Sequence, residues 1–424
     1  MKKSESFDVC IIGGGPAGLM AAGVAAQNGA KVVLLEKNEI LGKKLLISGG
    51  GRCNLTNANP DFRDFVGKYG KKGNFLFTPF SKFSTQDTIK FFNDLGLETK
   101  IEPGFRVFPM SDKSEDVLNI LVSLAEKNKV EFKIGAEVKK IKANKKTKEI
   151  SAVVLVSGEE IIAKSFILAT GGKSHPETGS TGDGFTWLED LGHTVIDSNP
   201  ALVPIKIKEN WIAGLAGIAV DKAGISVWIN EQNKWQKVMN KKGRFLFSHI
   251  GLTGPTVLNM SKDIGDLLEY SEVKVAIDFY PGVGLDQMHE MVLKTFESNL
   301  NKKIKNLDFP EIPTKVYEIM LRQLEIDGDW PINDIPRPAR LALVEKFKRF
   351  EMTVASLLGV DKAVVTSGGV DLTEVDFKTM QSKLYSNLYL VGDILDFDRP
   401  SGGFSLQLCW TTGYVAGQSV SVLK

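Results

Sequence analysis

Phe7-Asp8-Val9-Cys10-Ile11-Ile12-Gly13-Gly14-Gly15-Pro16-Ala17-Gly18 decides the fold of this chain. Its first half is a short apolar run that predicts a buried strand. Its second half is a G-x-G-x-x-G leading into an alanine-rich helical stretch. Strand, glycine turn and helix in that order form the dinucleotide-binding fingerprint. Gly13 allows the tight turn, Gly15 lets a pyrophosphate approach the backbone, and Gly18 lets helix and strand pack closely. The helix start at Pro16 and Ala17 presents unpaired N–H groups and a positive dipole end to the phosphates. A second predicted strand, Lys31-Val32-Val33-Leu34-Leu35, ends at Glu36. That is about twenty residues beyond the glycines, where the ribose carboxylate of this fold stands. Lys37 follows it. A dinucleotide ligand on a Rossmann-like α/β domain is the expectation.

Bulk composition narrows the class. At 424 residues the chain predicts two or three domains. A net charge of +2 gives no electrostatic case for nucleic acid or an anionic membrane surface. Cys10, Cys53 and Cys409 are scattered and match neither a disulfide framework nor a zinc pattern. A reducing cytoplasm is therefore expected. Met1-Lys2-Lys3 before an apolar stretch resembles a signal peptide. Glu5 and Asp8 interrupt its charge pattern, and cleavage would destroy the glycine fingerprint, so export is rejected. No apolar run approaches the roughly 20 residues needed to span a bilayer.

Along the chain, residues 42–54 read as a basic, glycine-rich loop. Residues 85–95 and 114–127 read as helices, and residues 104–109 as an extended segment or hairpin. Strands are expected near 130–134, 138–143, 151–156 and 160–163. A further buried strand, Ser165-Phe166-Ile167-Leu168, ends in Ala169-Thr170-Gly171-Gly172. Beyond residue 199, alternating segments at 205–207, 216–220, 225–229, 244–247 and 273–279 predict an antiparallel, β-rich insert. Helical periods dominate 285–325 and 339–348, and residues 350–355 return to strand. Leu388-Tyr389-Leu390-Val391 is a strand ending in Gly392-Asp393, and residues 405–422 form a closing helix. The predicted architecture is α/β: a discontinuous Rossmann-like dinucleotide-binding domain (1–200 and 364–424), an inserted β-rich domain (201–280 and 349–363) and a nested small helical domain (281–348).

The fingerprint alone does not separate NAD from FAD. An Ala-Thr-Gly-Gly turn after a mid-chain strand, with a Gly-Asp turn after the last one, resembles the two-dinucleotide-binding flavoprotein superfamily. The segment Ile47-Ser48-Gly49-Gly50-Gly51-Arg52-Cys53-Asn54-Leu55-Thr56-Asn57 resembles the signature loop of the aminoacetone-oxidase-type, bile-acid ene-reductase-like family. Members of that family are NAD(P)/FAD-dependent oxidoreductases. Arg106-Val107-Phe108-Pro109, the glycine-rich run from Gly171 to Gly184, and Ser248-His249-Ile250-Gly251-Leu252-Thr253-Gly254-Pro255 are similar to the same family. Gly368-Gly369-Val370, Thr379-Met380-Gln381-Ser382-Lys383 and Gly402-Gly403 extend the likeness from Phe7 to Gly417. His175 stands where an aromatic is usual, and Gly392-Asp393 where Gly-Glu is frequent.

The resemblance implies FAD, held non-covalently because no His or Cys motif marks a covalent flavin bond. Asp393 would meet the ribityl chain, and the helix led by Gly402, Gly403 and Phe404 would point at the flavin pyrimidine edge. A helix N-terminus there stabilises the negative charge of a reduced flavin. Lys44 and the loop residues Ser48, Gly49, Gly50, Gly51, Arg52, Cys53 and Asn54 are candidate cofactor contacts, as are Ala169, Thr170, Gly171, Gly172 and Gly392. Arg52 is the expected charge contact to FAD. Cys53 lacks a cysteine partner at short spacing, which argues against a disulfide-reductase mechanism. Of the four histidines, His249 sits in a glycine-flanked loop and is the candidate proton-transfer residue, together with Arg106. His175 competes for that role.

No cluster has metal-ligand spacing. The expected activity is hydride exchange between flavin N5 and a small organic substrate or NAD(P)H, the latter as a transient reductant because no second nucleotide fingerprint appears. Both an NAD(P)H-linked reductase and an oxygen-using oxidase fit. The alternative is a non-catalytic or RNA-modification-associated flavoprotein. A small-molecule partner is expected, with no nucleic acid and no membrane, and the oligomeric state stays open.

Overall fold

The computed structural model describes residues 6–196, 200–231, 233–358, 365–366 and 368–420. The Met1-Lys2-Lys3 start, the expected domain boundary at Val364 and the end of the expected closing helix fall outside them. The chain divides into two compact units, Met1–Asn199 with Val364–Lys424, and Pro200–Ala363.

In the first unit the opening strand is Ser6–Ile12, and Val9, Cys10 and Ile11 are fully buried. Burial on both faces explains why it reads as a continuous apolar run rather than an alternating one. It pairs in parallel with Val32–Glu36 on one side and with Glu160–Leu168 on the other. Leu388–Leu390 adds in parallel beyond Glu160–Leu168, and Glu131–Ile134 beyond Val32–Glu36. Register positions the site: Ile12 stands level with Leu35 and with Leu168, and Leu168 with Leu390. The chain after each of these strands therefore leaves the sheet at one edge, where ligands collect in open α/β folds.

Two buried helices lie against this sheet, Pro16–Gln27 and Phe404–Val420. Neither is amphipathic, because each is covered nearly all round. They approach so closely that a Cβ on Gly413 would stand 2.5 Å from the carbonyl oxygen of Ala17. Residues 160–163 and 165–168, read as two strands, are one strand, Glu160–Leu168. Its first part continues an antiparallel meander with Glu149–Leu155 and Val138–Asn144, while it pairs with the opening strand from Ile162 onward. The exposed Lys164 sits between two partner environments and mimics a break. Residues 43–47 of the expected loop are a short helix, Lys43–Ile47.

The second unit is a closed barrel of six strands: Ile205–Ile207, Gly251–Thr253, Lys234–Phe247, Ala219–Glu231, Val273–Asp278 and Phe350–Leu357. The helices Leu285–Glu297, Thr314–Gln323 and Arg337–Lys348 bury Met288, Val316 and Phe347 in the same apolar core that holds barrel residues such as Val227 and Val275.

Candidate functional site

The strand ends of the first unit surround a cleft of about 440 Å³, within the usual range of ligand sites. Gly13 sits at its base with φ +109°, and a Cβ there would stand 2.5 Å from the carbonyl oxygen of Ala169. Only glycine combines that backbone angle with that contact. Gly15 has open space where a Cβ would project. It also precedes Pro16 at the first turn of its helix, which has neither a side-chain cap nor an acidic residue in that turn. Donors left free at such a helix start suit a phosphate.

Glu36 closes the neighbouring strand and is 7% exposed. Its Oε2 accepts the N–H of Gly14 at 2.7 Å, and its Oε1 accepts the backbone N–H of Asn38 at 2.8 Å and the Asn38 amide at 2.7 Å. An ionised carboxylate has about four acceptor sites. Glu36 is thus held rigidly with one left to offer a ribose hydroxyl. Lys37 Nζ reaches Thr181 Oγ1 at 2.6 Å and Asp183 Oδ2 at 2.7 Å. Burial works to raise the Asp183 carboxyl, but hydrogen bonds from Lys37 and Thr181 outweigh it and hold it below the ordinary value.

Lys44 projects from the short helix into the same cleft, bonding Ser174 Oγ at 2.5 Å and Ser174 O at 3.2 Å. Its Nζ stands 3.8 Å from Asp393 Oδ2. Desolvation lowers the Lys44 ammonium from its usual value, against the pull of Asp393 in the other direction. Asp393 Oδ1 also accepts Arg399 Nη1 at 2.7 Å, and the Arg399 side chain is fully buried. Breaking a buried pair of this kind costs about 3–5 kcal/mol, so Asp393 is fixed in place. Burial raises the Cys409 thiol well above its ordinary value.

Of the expected cofactor contacts, Gly13, Gly15, Pro16, Ala17, Glu36, Lys37, Lys44, Ser48, Gly49, Gly50, Ala169, Thr170, Gly171 and Asp393 line the cleft. Gly18, Gly51, Arg52, Cys53, Asn54, Gly172, Gly392, Gly402, Gly403 and Phe404 do not. Gly18 and Gly392 instead make close packing contacts, with Gly13 and Ala17. Arg52, the expected charge contact, stands outside the cleft lining. Its guanidinium pairs with Glu102 and with Asp112 at 2.6 Å, and lies 4.1 Å from the Phe108 ring centre. Two carboxylates and an aromatic face already satisfy it. Cys53 is fully buried, and burial pushes its thiol up to about 12. Arg106 pairs with Glu102 at 3.5 Å on the hairpin outside the cleft lining. His249 is an exposed residue of the second unit, in the turn between Lys234–Phe247 and Gly251–Thr253. His175 does line the cleft, with φ 54° and Nδ1 2.8 Å from Glu177 Oε1.

Several lining residues went unassigned in the sequence. Thr178, Gly179, Ser180, Gly182 and Asp183 belong to a glycine-rich run noted only as a family likeness. Ala136 carries no signal at all, and Val138 only opens an expected strand. Ala136 arrives because its N–H bonds Glu36 O at 2.9 Å at the end of the parallel pair. Ser405 and Leu406, one and two residues into the last helix, line the cleft in place of Gly402 to Phe404.

The donor set fits an FAD. A glycine turn, an uncapped helix start and a strand-end carboxylate meet the needs of phosphates and a ribose. Thr170 Oγ1 is a buried hydroxyl in the lining with no hydrogen-bond partner. An orphaned buried hydroxyl costs free energy unless a ligand supplies its partner. Among the described residues no group of acidic, His and Cys side chains could hold a metal, and no helix is long and apolar enough to cross a membrane.

Comparison with known proteins agrees with this geometry. The model of the family described as HI0933-like protein Rossmann domain matches residues 7–419. A 3-dehydro-bile acid delta(4,6)-reductase of Clostridium scindens is 33% identical over 97% of this chain and 98% of its own. A ribosomal RNA dihydrouridine synthase of Escherichia coli is 27% identical over 99% of both chains. The crystal structure of a 3-ketosteroid delta1-dehydrogenase from Sterolibacterium denitrificans superposes with a TM-score of 0.56, covering 99% of this chain and all of that one at 12% identity. At that identity the likeness is one of fold.

Proposed function

Because the chain belongs to the HI0933-like family of Rossmann-type, FAD-dependent oxidoreductases, we propose that it is a reductase of carbon–carbon double bonds conjugated to a carbonyl group. The observation that supports this reading is chemical. Two full-length relatives differ in substrate, one named for a keto bile acid and one for uridine in ribosomal RNA. A ring double bond conjugated to a carbonyl is common to both. FAD, when bound, supplies hydride chemistry at N5, and NAD(P)H is the proposed source of the electrons.

The chain's own residues bind and orient. The helix start at Pro16 and Ala17 takes the pyrophosphate, Glu36 the ribose, and Lys44 with Asp393 the middle of the cofactor. The start of the last helix, at Ser405 and Leu406, favours a negative charge that develops on the ring. A hydride delivered to the β-carbon must be matched by a proton at the α-carbon. His249 is the proposed proton source, with His175 the alternative that lines the cleft.

The test is anaerobic. NADPH or NADH should bleach the flavin of the purified holoprotein, and a conjugated ketone such as a 4-ene-3-ketosteroid should restore its colour, with a product heavier by H2. Reoxidation by oxygen alone at a catalytic rate, with candidate amines as reductants, would replace this reading with an oxidase.

A further inference from the structure

The barrel carries a feature that the cleft does not use. Ala219–Glu231 and Lys234–Phe247 form a long antiparallel ribbon, paired from Ala219↔Leu246 to Glu231↔Lys234. Within it stand Lys222, Lys234, Lys237, Lys241, Lys242 and Arg244, against only Asp221 and Glu231. Asp221 is taken by Arg244 at 3.2 Å, and Glu231 faces Lys234 across the ladder. Lys237, Lys241 and Lys242 oppose Trp228, Ile225 and Gly224, which carry no charge. All three are exposed, and none has an ion pair among the described residues. Cross-strand neutralisation, the usual arrangement in a ladder, is missing here.

The same wall holds two indoles, each with a cation above it. Arg349 lies 4.0 Å from the Trp228 ring and Lys274 4.2 Å from the Trp235 ring. Trp228 stands level with Lys237 on one side and Lys274 on the other, so indoles and cations share one face. On the ribbon's other side, Lys234–Phe247 pairs with Gly251–Thr253 only at Leu246 and Phe247. Most of that strand is an open edge.

From this juxtaposition we propose that the ribbon face with Trp228, Trp235, Lys237 and Lys242, flanked by Lys241 on the opposite face of the same open strand, docks RNA. Unpaired lysines suit a phosphate backbone, and indoles beside cations suit the faces of unstacked bases. Bilayer docking is disfavoured by the chemistry: the ribbon's one large exposed apolar side chain is Val238. The near-zero net charge of the whole chain hid this patch, because what matters for a polyanion is local charge. The proposal extends the reductase reading to a double bond carried by RNA, and it is tested by binding alone, without turnover.

The probe is a fluorescein-labelled, uridine-rich single-stranded RNA titrated with oxidised holoprotein at several salt concentrations. Neutralising about three phosphates predicts a log–log salt slope near −2 for a single strand. K237E/K241E/K242E should weaken binding at least tenfold and flatten that slope, with FAD content unchanged. K140E/K145E/K146E, a matched charge change on the hairpin of the other unit, should leave binding within twofold. Should the triple variant lose its flavin, K237Q/K242Q gives the same comparison with a smaller change. Equal losses in both triple variants, or binding of polyglutamate or phosphatidylserine vesicles as tight as RNA, overturn the proposal. Absent RNA binding does so too, and reduction of a small conjugated ketone would then stand by itself. The lysines would in that case serve only to keep an open strand edge from pairing with another copy.

Discussion

Glu36 Oε2 accepts the backbone N–H of Gly14 at 2.7 Å, tying the end of one strand to the glycine turn that leaves its neighbour. The carboxylate thereby shapes the turn, and its remaining acceptor site is the one proposed for a ribose. Glu36→Ala removes both functions and strands the N–H groups of Gly14 and Asn38. FAD binding is expected to weaken more than tenfold, that is by more than about 1.4 kcal/mol, with a fall in Tm of the apoprotein as well. Glu36→Gln keeps one amide oxygen and should lie between. Equilibrium dialysis against FAD, with melting curves of apoprotein, checks both effects.

Lys44 is a cation in the cleft lining, held by Ser174 and 3.8 Å from Asp393. Lys44→Met keeps the length of the stem and removes the charge. The flavin midpoint potential is expected to drop, because a nearby cation favours the reduced, more negative cofactor. Spectroelectrochemical titration of the variant against the parent measures it, and an unchanged potential removes Lys44 from the ring's surroundings.

Arg52 makes the opposite case. Its pairing holds the Glu102 carboxyl below its ordinary range, and Asp112 is held low first by Lys100 and then by Arg52. Arg52→Ala is therefore expected to leave FAD content and flavin potential unchanged and to loosen the hairpin Thr99–Glu102 and Arg106–Pro109. Limited proteolysis near residue 104, compared with the absorbance ratio of flavin to protein, separates the two possibilities.

How legible this was in the sequence follows from what each residue's role depends on. Gly13, Gly15 and Glu36 act through local backbone geometry and a strand end, and local pattern is what a sequence displays. Residues 219–247 show the limit. The turns and alternation suggested short strands at 216–220, 225–229 and 244–247, yet two long strands run through the gaps. Polar residues at an open edge satisfy a ladder without the apolar alternation that marks one. Arg52 shows a related limit. A cation in a glycine loop reads as a phosphate ligand until Glu102 and Asp112, distant in sequence, are seen to bind it. Ala136 enters the cleft through its bond to Glu36 at the end of the parallel pair, which no local signal encodes.

His193 gives the pH dependence of the first unit. Its side chain is fully buried, with Nδ1 2.7 Å from Glu374 Oε2 and Nε2 2.9 Å from Ser382 Oγ. Ser382 Oγ also accepts the N–H groups of Leu384 and Tyr385, so its hydroxyl proton goes to the imidazole. Burial lowers the folded pKa of His193 from 6.5, partly opposed by Glu374. Below the unfolded value the unfolded chain takes up a proton that the folded chain refuses. The stability in question is present above pH 6.5 and is lost as pH falls through the folded pKa. Urea midpoints should fall between about pH 7.5 and pH 5.5, and His193→Asn should flatten that fall.

His249 carries the last expectation. It is exposed in the glycine-flanked turn that opens at Ser248, where Ser248 N–H bonds Gly251 O at 2.8 Å. That bond fixes the turn and leaves the imidazole outside it. If His249 supplies the proton that matches hydride transfer, His249→Ala should slow turnover on the order of 10²-fold. The flavin spectrum, FAD content and rate of flavin reduction by NAD(P)H should be unaffected, since the proton is needed only in the second half of the cycle. His175→Gln, altering a residue that lines the cleft beside Lys44's partner Ser174, provides the comparison. A loss below about threefold for His249→Ala, against a large one for His175→Gln, moves the proton-transfer role to His175. Reoxidation of prereduced protein by a conjugated ketone, followed by stopped flow, reads that half of the cycle directly.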